Sequence, residues 1–363
     1  MSNDFNSAMR RASELVRTGN PVGATQMIQA ALAKGGLSST SAGLNPDVKA
    51  LGSGKIGRSL RETLAGLGSL PQSGMPTANV TEPPLPKGAR FDGGTFTCAQ
   101  GSRDYRVYVP ALNGASPNGM IMMLHGCTQS PVDFAKGTGM NTLADQHGLI
   151  VVYPAQSRGA NMQSCWNWFG PADQTRDAGE PAILAGLAQQ MQRDHGVPQG
   201  ASFVAGLSAG AAMAVILGQT HADVFDAVGA HSGLPYRAAH DVPSAFAAMG
   251  SGGARPQKTL PIPTIVFHGD ADNTVHHTNG HQIADGAATG PQVVEDGTAG
   301  KRSFTRNTIL SPDGYAVMEH WTIAGLGHAW SGGNSAGSYT DANGPRASAE
   351  MVRFFLDLPL KGA

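Results

Sequence analysis

The chain has 363 residues, 40% hydrophobic and 14% charged, enough for one large core and a small appendage. Its 49 Gly, 23 Pro and few aromatics, with no internal repeat, exclude a coiled coil or repeat array, and no apolar run reaches the roughly 18–20 residues of a membrane helix. Net charge is −1 but uneven: residues 1–90 carry 10 Lys/Arg against 5 Asp/Glu, residues 91–363 carry 15 against 21, and neither part has the dense basic stripe of a nucleic-acid binder.

Residues 1–33 read as a helical hairpin. Phe5, Ala8, Met9, Ala12, Leu15 and Val16 share one helical face over 4–17. Gly19-Asn20-Pro21 ends that helix, and Val22, Met27, Ile28, Ala31 and Leu32 give a second over 22–33. Helices this short are not stable alone, so their faces are expected to dock on the chain's own body, with a partner or a hydrophobic granule as the alternative. Met1 to Phe5 lacks the apolar stretch of a secretory signal, which favours a cytoplasmic location, with non-standard secretion as the alternative. Residues 34–90 have linker composition, with a short helix near 57–67.

From 91 onward strands alternate with helices. Gly94 to Thr97 and Tyr105 to Val109 suggest an opening antiparallel pair, and Met120 to Leu124 a buried strand. A helix near 138–147 leads to the strand Leu149 to Tyr153, and a helix over 180–194 to the strand Ala201 to Ala205. Later strands are Ala227 to Ala230, Thr264 to Phe267 and Val317 to Thr322, and a last helix covers 346–357. Residues 235–260, rich in Ala, Gly and Pro, read as a lid or a long crossover loop. This alternation predicts an α/β fold: a mostly parallel sheet with helices on both faces, occupying 91–363 behind the helical N-terminal extension.

The chemistry centres on Gly206-Leu207-Ser208-Ala209-Gly210. A strand precedes it and an apolar helix, Ala211 to Leu217, follows, the context in which G-x-S-x-G marks a nucleophile elbow. A serine hydroxyl needs a base and a carboxylate that orients it, all at the carboxyl ends of strands. His328, in Gly325-Leu326-Gly327-His328-Ala329-Trp330, follows the last strand. Asp270 and Asp272 follow the strand ending at Phe267, and Asp272, deeper in its loop, is the preferred partner, with Asp270 expected to pin the turn. The tetrahedral intermediate needs two backbone donors, expected from Ala209 and Cys127, the latter in Leu124-His125-Gly126-Cys127-Thr128-Gln129. Cys165-Trp166-Asn167-Trp168-Phe169 puts three aromatics in four residues, read as either a substrate wall, joined by Trp330, or a plug under a loop. No metal or cofactor is expected.

Taken together, Tyr105 to Pro110, Leu124 to Gln129, Cys165 to Phe169, Gly206 to Gly210, His268 to Val275 and Gly327 to Gly333 resemble the polyhydroxybutyrate (PHB) depolymerase/esterase family of α/β-hydrolases, which includes feruloyl-type and acetylxylan-type esterases. The resemblance covers about residues 90–360. It implies an α/β-hydrolase fold, a triad of Ser208, Asp272 and His328, an oxyanion hole at Cys127 and Ala209, and a substrate groove lined by Trp166 and Trp168. Trp330 and Gln129 join them as candidate substrate contacts. It also implies a Cys127–Cys165 bridge with Cys98 free; two reduced thiols are the alternative. The expected function is a serine carboxylesterase for short-chain hydroxyacyl esters, such as PHB or its oligomers. Feruloyl or acetylxylan esters are the rival substrates, a non-catalytic granule-binding protein is the rival of another class, and a peptidase is disfavoured for want of a propeller or large cap domain.

Overall fold

The computed structural model describes residues 85–253 and 262–359. The helical hairpin expected over 1–33 and nearly all of the linker expected over 34–90 lie outside these residues. Among the described residues no helix is long and apolar enough to cross a membrane.

In chain order, β1 (Arg90–Cys98) and β2 (Gly101–Val109) form an antiparallel pair in continuous register, from Arg90 opposite Val109 to Cys98 opposite Gly101. Then come β3 (Gly119–Leu124), helices α1 (Pro131–Thr138) and α2 (Met140–His147), and β4 (Leu149–Pro154). A 3-10 turn (Pro171–Gln174) and α3 (Gly179–His195) lead to β5 (Ser202–Leu207), α4 (Ala209–Thr220) and β6 (Ala227–His231). After α5 (Val242–Ser251) come β7 (Thr264–Gly269) and α6 (Thr278–Ala287). They are followed by β8 (Gln292–Ala299), β9 (Arg302–Leu310), β10 (Ala316–Ile323), the short β11 (Trp330–Ser331) and β12 (Thr340–Asp341), and α7 (Ala347–Leu356).

Ten strands form one sheet in the order β1-β2-β4-β3-β5-β6-β7-β10-β9-β8. The six from β4 to β10 are parallel, and antiparallel pairs close both ends. The side-chain period of two explains how both faces are covered. Met120, Met122 and Leu124 of β3 enter one core with Leu184 and Leu187 of α3 and Met213 and Ile216 of α4. Ile121 and Met123 enter the other with Phe134 of α1, Leu143 of α2 and Phe355 of α7. The central strands are therefore apolar without a break, as strands covered on both faces must be.

Three expectations change. The helix expected near 138–147 is two helices, because Gly139 sits at φ 62° and ψ 19°, a left-handed stop for α1 that α2 starts from. Residues 235–260 are not simply loop: Asp241 accepts a hydrogen bond from Ser244 N at 2.8 Å and caps α5, with Pro243 in its first turn. The hairpin β8–β9 extends the sheet past β10, where no strand is expected from the sequence.

Candidate active site

The parallel strands deliver the predicted residues to one rim. Ser208 follows β5, Cys127 follows β3, Asp272 follows β7 and His328 follows β10. Of the seven non-glycine residues with positive φ among the described residues, five (Thr128, Ser164, Ser208, Ser232 and Arg237) lie in loops leaving the carboxyl ends of the parallel strands. Backbone strain is thus concentrated where the candidate chemistry sits.

Ser208 has φ 57° and ψ −121°, a conformation that turns the chain sharply from β5 into α4. Ser208 N donates to His231 O at 2.9 Å, and Ser208 O accepts from Ala212 N at 3.0 Å, so the turn is tied to β6 and to its own helix. The flanking glycines are required by space. A Cβ on Gly206 would lie 2.5 Å from the carbonyl carbon and oxygen of Gly210, and one on Gly210 would lie 2.1 Å from Leu124 O. Gly126 brings the neighbouring turn close: a Cβ there would stand 3.6 Å from Ser208 Cβ.

Asp272 is buried, and its two oxygens have separate tasks. Oδ1 accepts Thr274 N and Val275 N, each at 2.9 Å, which fixes the carboxylate; Oδ2 accepts His328 Nδ1–H at 2.7 Å. Burial pushes the Asp272 carboxyl up, but the hydrogen bond and charge of His328, with the Val275 amide, outweigh it and hold the group below its ordinary range. With Nδ1 carrying the proton, Nε2 of the neutral ring is free to accept one. Asp270 instead accepts Gly325 N at 2.6 Å and, among the described residues, no bond from His328, pinning the turn that carries the histidine. A Cβ on Gly269 would lie 2.0 Å from Leu326 O, so β7 and the histidine loop touch backbone to backbone. Among the described residues no hydrogen bond joins Ser208 Oγ to the ring: the structure makes the Asp272–His328 half of the relay and leaves the Ser208–His328 half open.

The amides of Cys127 and Ala209 have no hydrogen-bond partner among the described residues. Ala209 is the first residue of α4, where N–H groups are left over and the helix dipole favours negative charge. Cys127 and Cys165 are joined by a disulfide with Cα atoms 4.2 Å apart, and Cys98 is free. Thr128 N donates to Gln163 O at 2.7 Å beside that bridge, so the turn after β3 is clamped to the aromatic loop twice.

Of the two readings of the aromatic residues, substrate wall or plug under a loop, the buried tryptophans fit the plug. Trp166 is fully buried, its Nε1 donating to His125 O at 3.0 Å; Trp330 is 1% exposed, its Nε1 donating to Ser348 Oγ at 3.0 Å. Trp168, 6% exposed, packs edge-on against Phe169. All three belong to the cores, and for Trp166 and Trp330 the bonded N–H removes the cost of burying the indole. The loop itself is hung from a buried carboxylate: Glu180 accepts Asn167 N and Asn167 Nδ2, each at 2.8 Å, along with Gln156 Nε2 and Arg103 Nη2. Gln129 is buried as well and bonds to the protein, not outward.

Tyr339 and Met162 lie outside the sequence motifs, and both are exposed. Tyr339 Oη lies 3.2 Å from Thr128 Oγ1, and Met162, 90% exposed, belongs to the loop that Gln163 ties to Thr128 N. Neither lies in a recognisable motif; exposure of a large apolar side chain was the signal, and it is three-dimensional. His231 was also missed. It is fully buried between Phe267 and Trp330, its Nε2 accepts Ser331 N at 3.0 Å, and burial together with the His268 and His328 rings pushes it down to about 3, so it is neutral. His277 and His281 have the i, i+4 spacing of a helical metal pair. Among the described residues, however, no three His, Cys, Asp or Glu side chains come together to hold a metal.

The family model for esterase PHB depolymerase matches residues 103–309, a stretch containing Ser208 and Asp272 but ending before His328. Poly(3-hydroxyalkanoate) depolymerase C of Paucimonas lemoignei is 32% identical over 229 residues, 58% of this chain and 54% of that protein. Feruloyl esterase B of Talaromyces stipitatus is 27% identical over 258 residues, 63% of this chain and 68% of that one. The chain spans about half the length of the two depolymerases it matches, 54% of each. Among solved structures, the acetyl xylan esterase from Aspergillus awamori shares the fold at a TM-score of 0.56 and 19% identity, over 74% of this chain and 100% of that one. A parallel sheet with a strained serine after its fifth strand is thus the α/β-hydrolase fold, and the match over more than half its length places this chain in the esterase PHB depolymerase family.

Proposed function

We propose that the protein is a serine carboxylesterase that cleaves short-chain hydroxyacyl esters, such as PHB or its oligomers, through an acyl-enzyme. The observation that carries the hydrolytic chemistry is the 2.7 Å bond between His328 Nδ1 and a buried, doubly anchored Asp272, on the rim where Ser208 is held at positive φ, and the hydroxyacyl substrate is supported by the likeness to poly(3-hydroxyalkanoate) depolymerase C. Ser208 Oγ attacks the ester carbonyl as its proton passes to His328 Nε2. Asp272 holds the tautomer and stabilises the imidazolium. The N–H groups of Cys127 and Ala209 receive the oxyanion, and the imidazolium returns the proton to the leaving alcohol. Water, deprotonated by the same nitrogen, then releases the acid. The Ser208–His328 bond has to close when substrate arrives, as such bonds often do on leaving the apo state.

Ser208→Ala should reduce hydrolysis of p-nitrophenyl butyrate by at least ~10⁴-fold with the circular dichroism spectrum intact. A fluorophosphonate should label Ser208; labelling at another residue, or retained turnover in Ser208→Ala, overturns the proposal. The relative named feruloyl esterase B favours a second substrate class, esters on plant polysaccharide. Relative kcat/KM on hydroxybutyrate oligomers, methyl ferulate and acetylated xylan separates the two. Polymer binding without any ester turnover would instead support a non-catalytic role.

A further inference from the structure

Four consecutive amides make up the turn after β3, and three are engaged. Gly126 N donates to Gln129 Oε1 at 2.9 Å, Thr128 N to Gln163 O at 2.7 Å and Gln129 N to Gly126 O at 3.3 Å. Among the described residues only Cys127 N is left without a partner in this turn. Its direction is therefore set by its neighbours, and the side chain that holds the peptide next to it is Gln129.

Gln129 is itself held in one orientation. Its Nε2 donates to Asp133 Oδ2 at 3.0 Å and lies 3.1 and 3.2 Å from Ser338 O and Oγ. Asp133 in turn accepts Ser338 N at 3.0 Å and Ser338 Oγ at 2.5 Å. Three acceptors around the NH₂ end leave the carbonyl end to face Gly126 N, so the amide cannot flip without losing bonds at both ends. Asp133 is rigid too, standing in the first turn of α1 behind the N-cap Ser130. Ser338 lies between β11 and β12, in the segment that follows β10 and also carries His328. The relay therefore ties the β11–β12 connection, downstream of His328, to the turn that offers the oxyanion donor, across 209 residues of sequence.

We infer that Gln129, aimed by Asp133 and Ser338, is a positioning residue for ester hydrolysis: it fixes the turn so that the Cys127 N–H points at the developing oxyanion. The inference rests on the esterase reading above. It also gives Gln129 a different role from the substrate contact expected from the sequence, since its amide has no unused donor to offer.

The test uses the full chain and p-nitrophenyl butyrate, with active sites counted by fluorophosphonate titration. Removing an oxyanion donor costs about 10²–10³ in kcat, and misaiming one should cost part of that. Gln129→Met, of similar size but unable to bond, should lower kcat per titrated site about 10- to 100-fold with KM within twofold, and should speed amide exchange at Gly126. Gln129→Glu should be similarly impaired, because a carboxylate cannot donate to Asp133. Adding Asp133→Asn to it restores one of the three contacts with reversed polarity, while Ser338 O still faces a carboxylate, and should recover only part of kcat. Wild-type kcat per titrated site in Gln129→Met overturns the inference, whatever happens to thermal stability. A wild-type protein that hydrolyses no ester takes down the esterase reading and this inference with it; the Gly126 exchange rate then still tells whether the brace exists, so the two failures are distinct.

Discussion

Ser208 and its neighbours show how far single residues determine the site. The two glycines of the motif were readable because their need is local: a Cβ on Gly210 meets Leu124 O at 2.1 Å and His125 O at 2.6 Å, backbone atoms that cannot move aside. Gly210→Ala should therefore abolish folding or activity, not merely reduce it; soluble protein with normal turnover would refute this packing. The choice between the two aspartates is also a residue-scale matter. Asp272 reaches His328 Nδ1 and Asp270 reaches Gly325 N. Asp272→Asn should cost kcat about 10⁴-fold with little change in KM, because the imidazole loses its tautomer and its counter-charge. Asp270→Asn loses one charged acceptor at an exposed turn and should cost far less. Steady-state kinetics on both variants checks the order, and equal losses would mean that Asp270 has a share in orienting the ring.

At the scale of elements, what was legible followed local rules, and what was not depended on distant partners. β3, β4, β5 and β7 announced themselves as short apolar runs, since both faces of each are covered. β8 has no such signature: Gln292 to Asp296 are exposed on both faces. What holds the hairpin is polar and cross-strand, Thr305 Oγ1 to Asp296 at 2.5 Å and Arg306 to Glu295, pairs that mean nothing until the register is known. The capping box of α5 escaped notice because Ser244, not Glu or Gln, occupies its third position. The aromatic loop was conspicuous in composition, but its burial depends on Glu180, which lies 13 residues from Asn167. That carboxylate is pushed up by burial and drawn back by the hydrogen bonds of Gln156 and Asn167. Glu180→Ala should cost about 3–5 kcal/mol, because it strands the buried guanidinium of Arg103 and three amide donors. Urea unfolding measures it, and a loss below ~1 kcal/mol would show that the loop is held by the disulfide and Trp166 alone.

For the whole molecule, the consequence of carrying so many polar rings in the core is sensitivity to acid. Burial pushes His125 and His268 down to about 4, and His231 and His320 down to about 3. These rings are buried neutral, and His320 Nε2 has no partner to share a proton with among the described residues. The unfolded chain binds protons at these sites near pH 6.5 and the folded chain only below 4. A folded pKa below the unfolded one means that the contribution to stability is fully present above about 6.5. It falls with pH and is exhausted only when pH has passed through the folded value. Each ring then costs at most about 1.4 kcal/mol per pH unit in that window, so four of them can remove several kcal/mol by pH 5, a large part of the 5–15 kcal/mol typical of a domain. Urea midpoints should therefore fall steeply from pH 7 to pH 5, while carboxylates such as Asp272, held below their ordinary range, add their loss only at lower pH. His320→Phe removes one of the titrating rings and should reduce the proton uptake on unfolding at pH 5 by about one. A midpoint that is flat between pH 7 and pH 5, or an uptake unchanged by His320→Phe, would mean that water reaches these rings and that the core around β7 and β10 is more open than the packing described above.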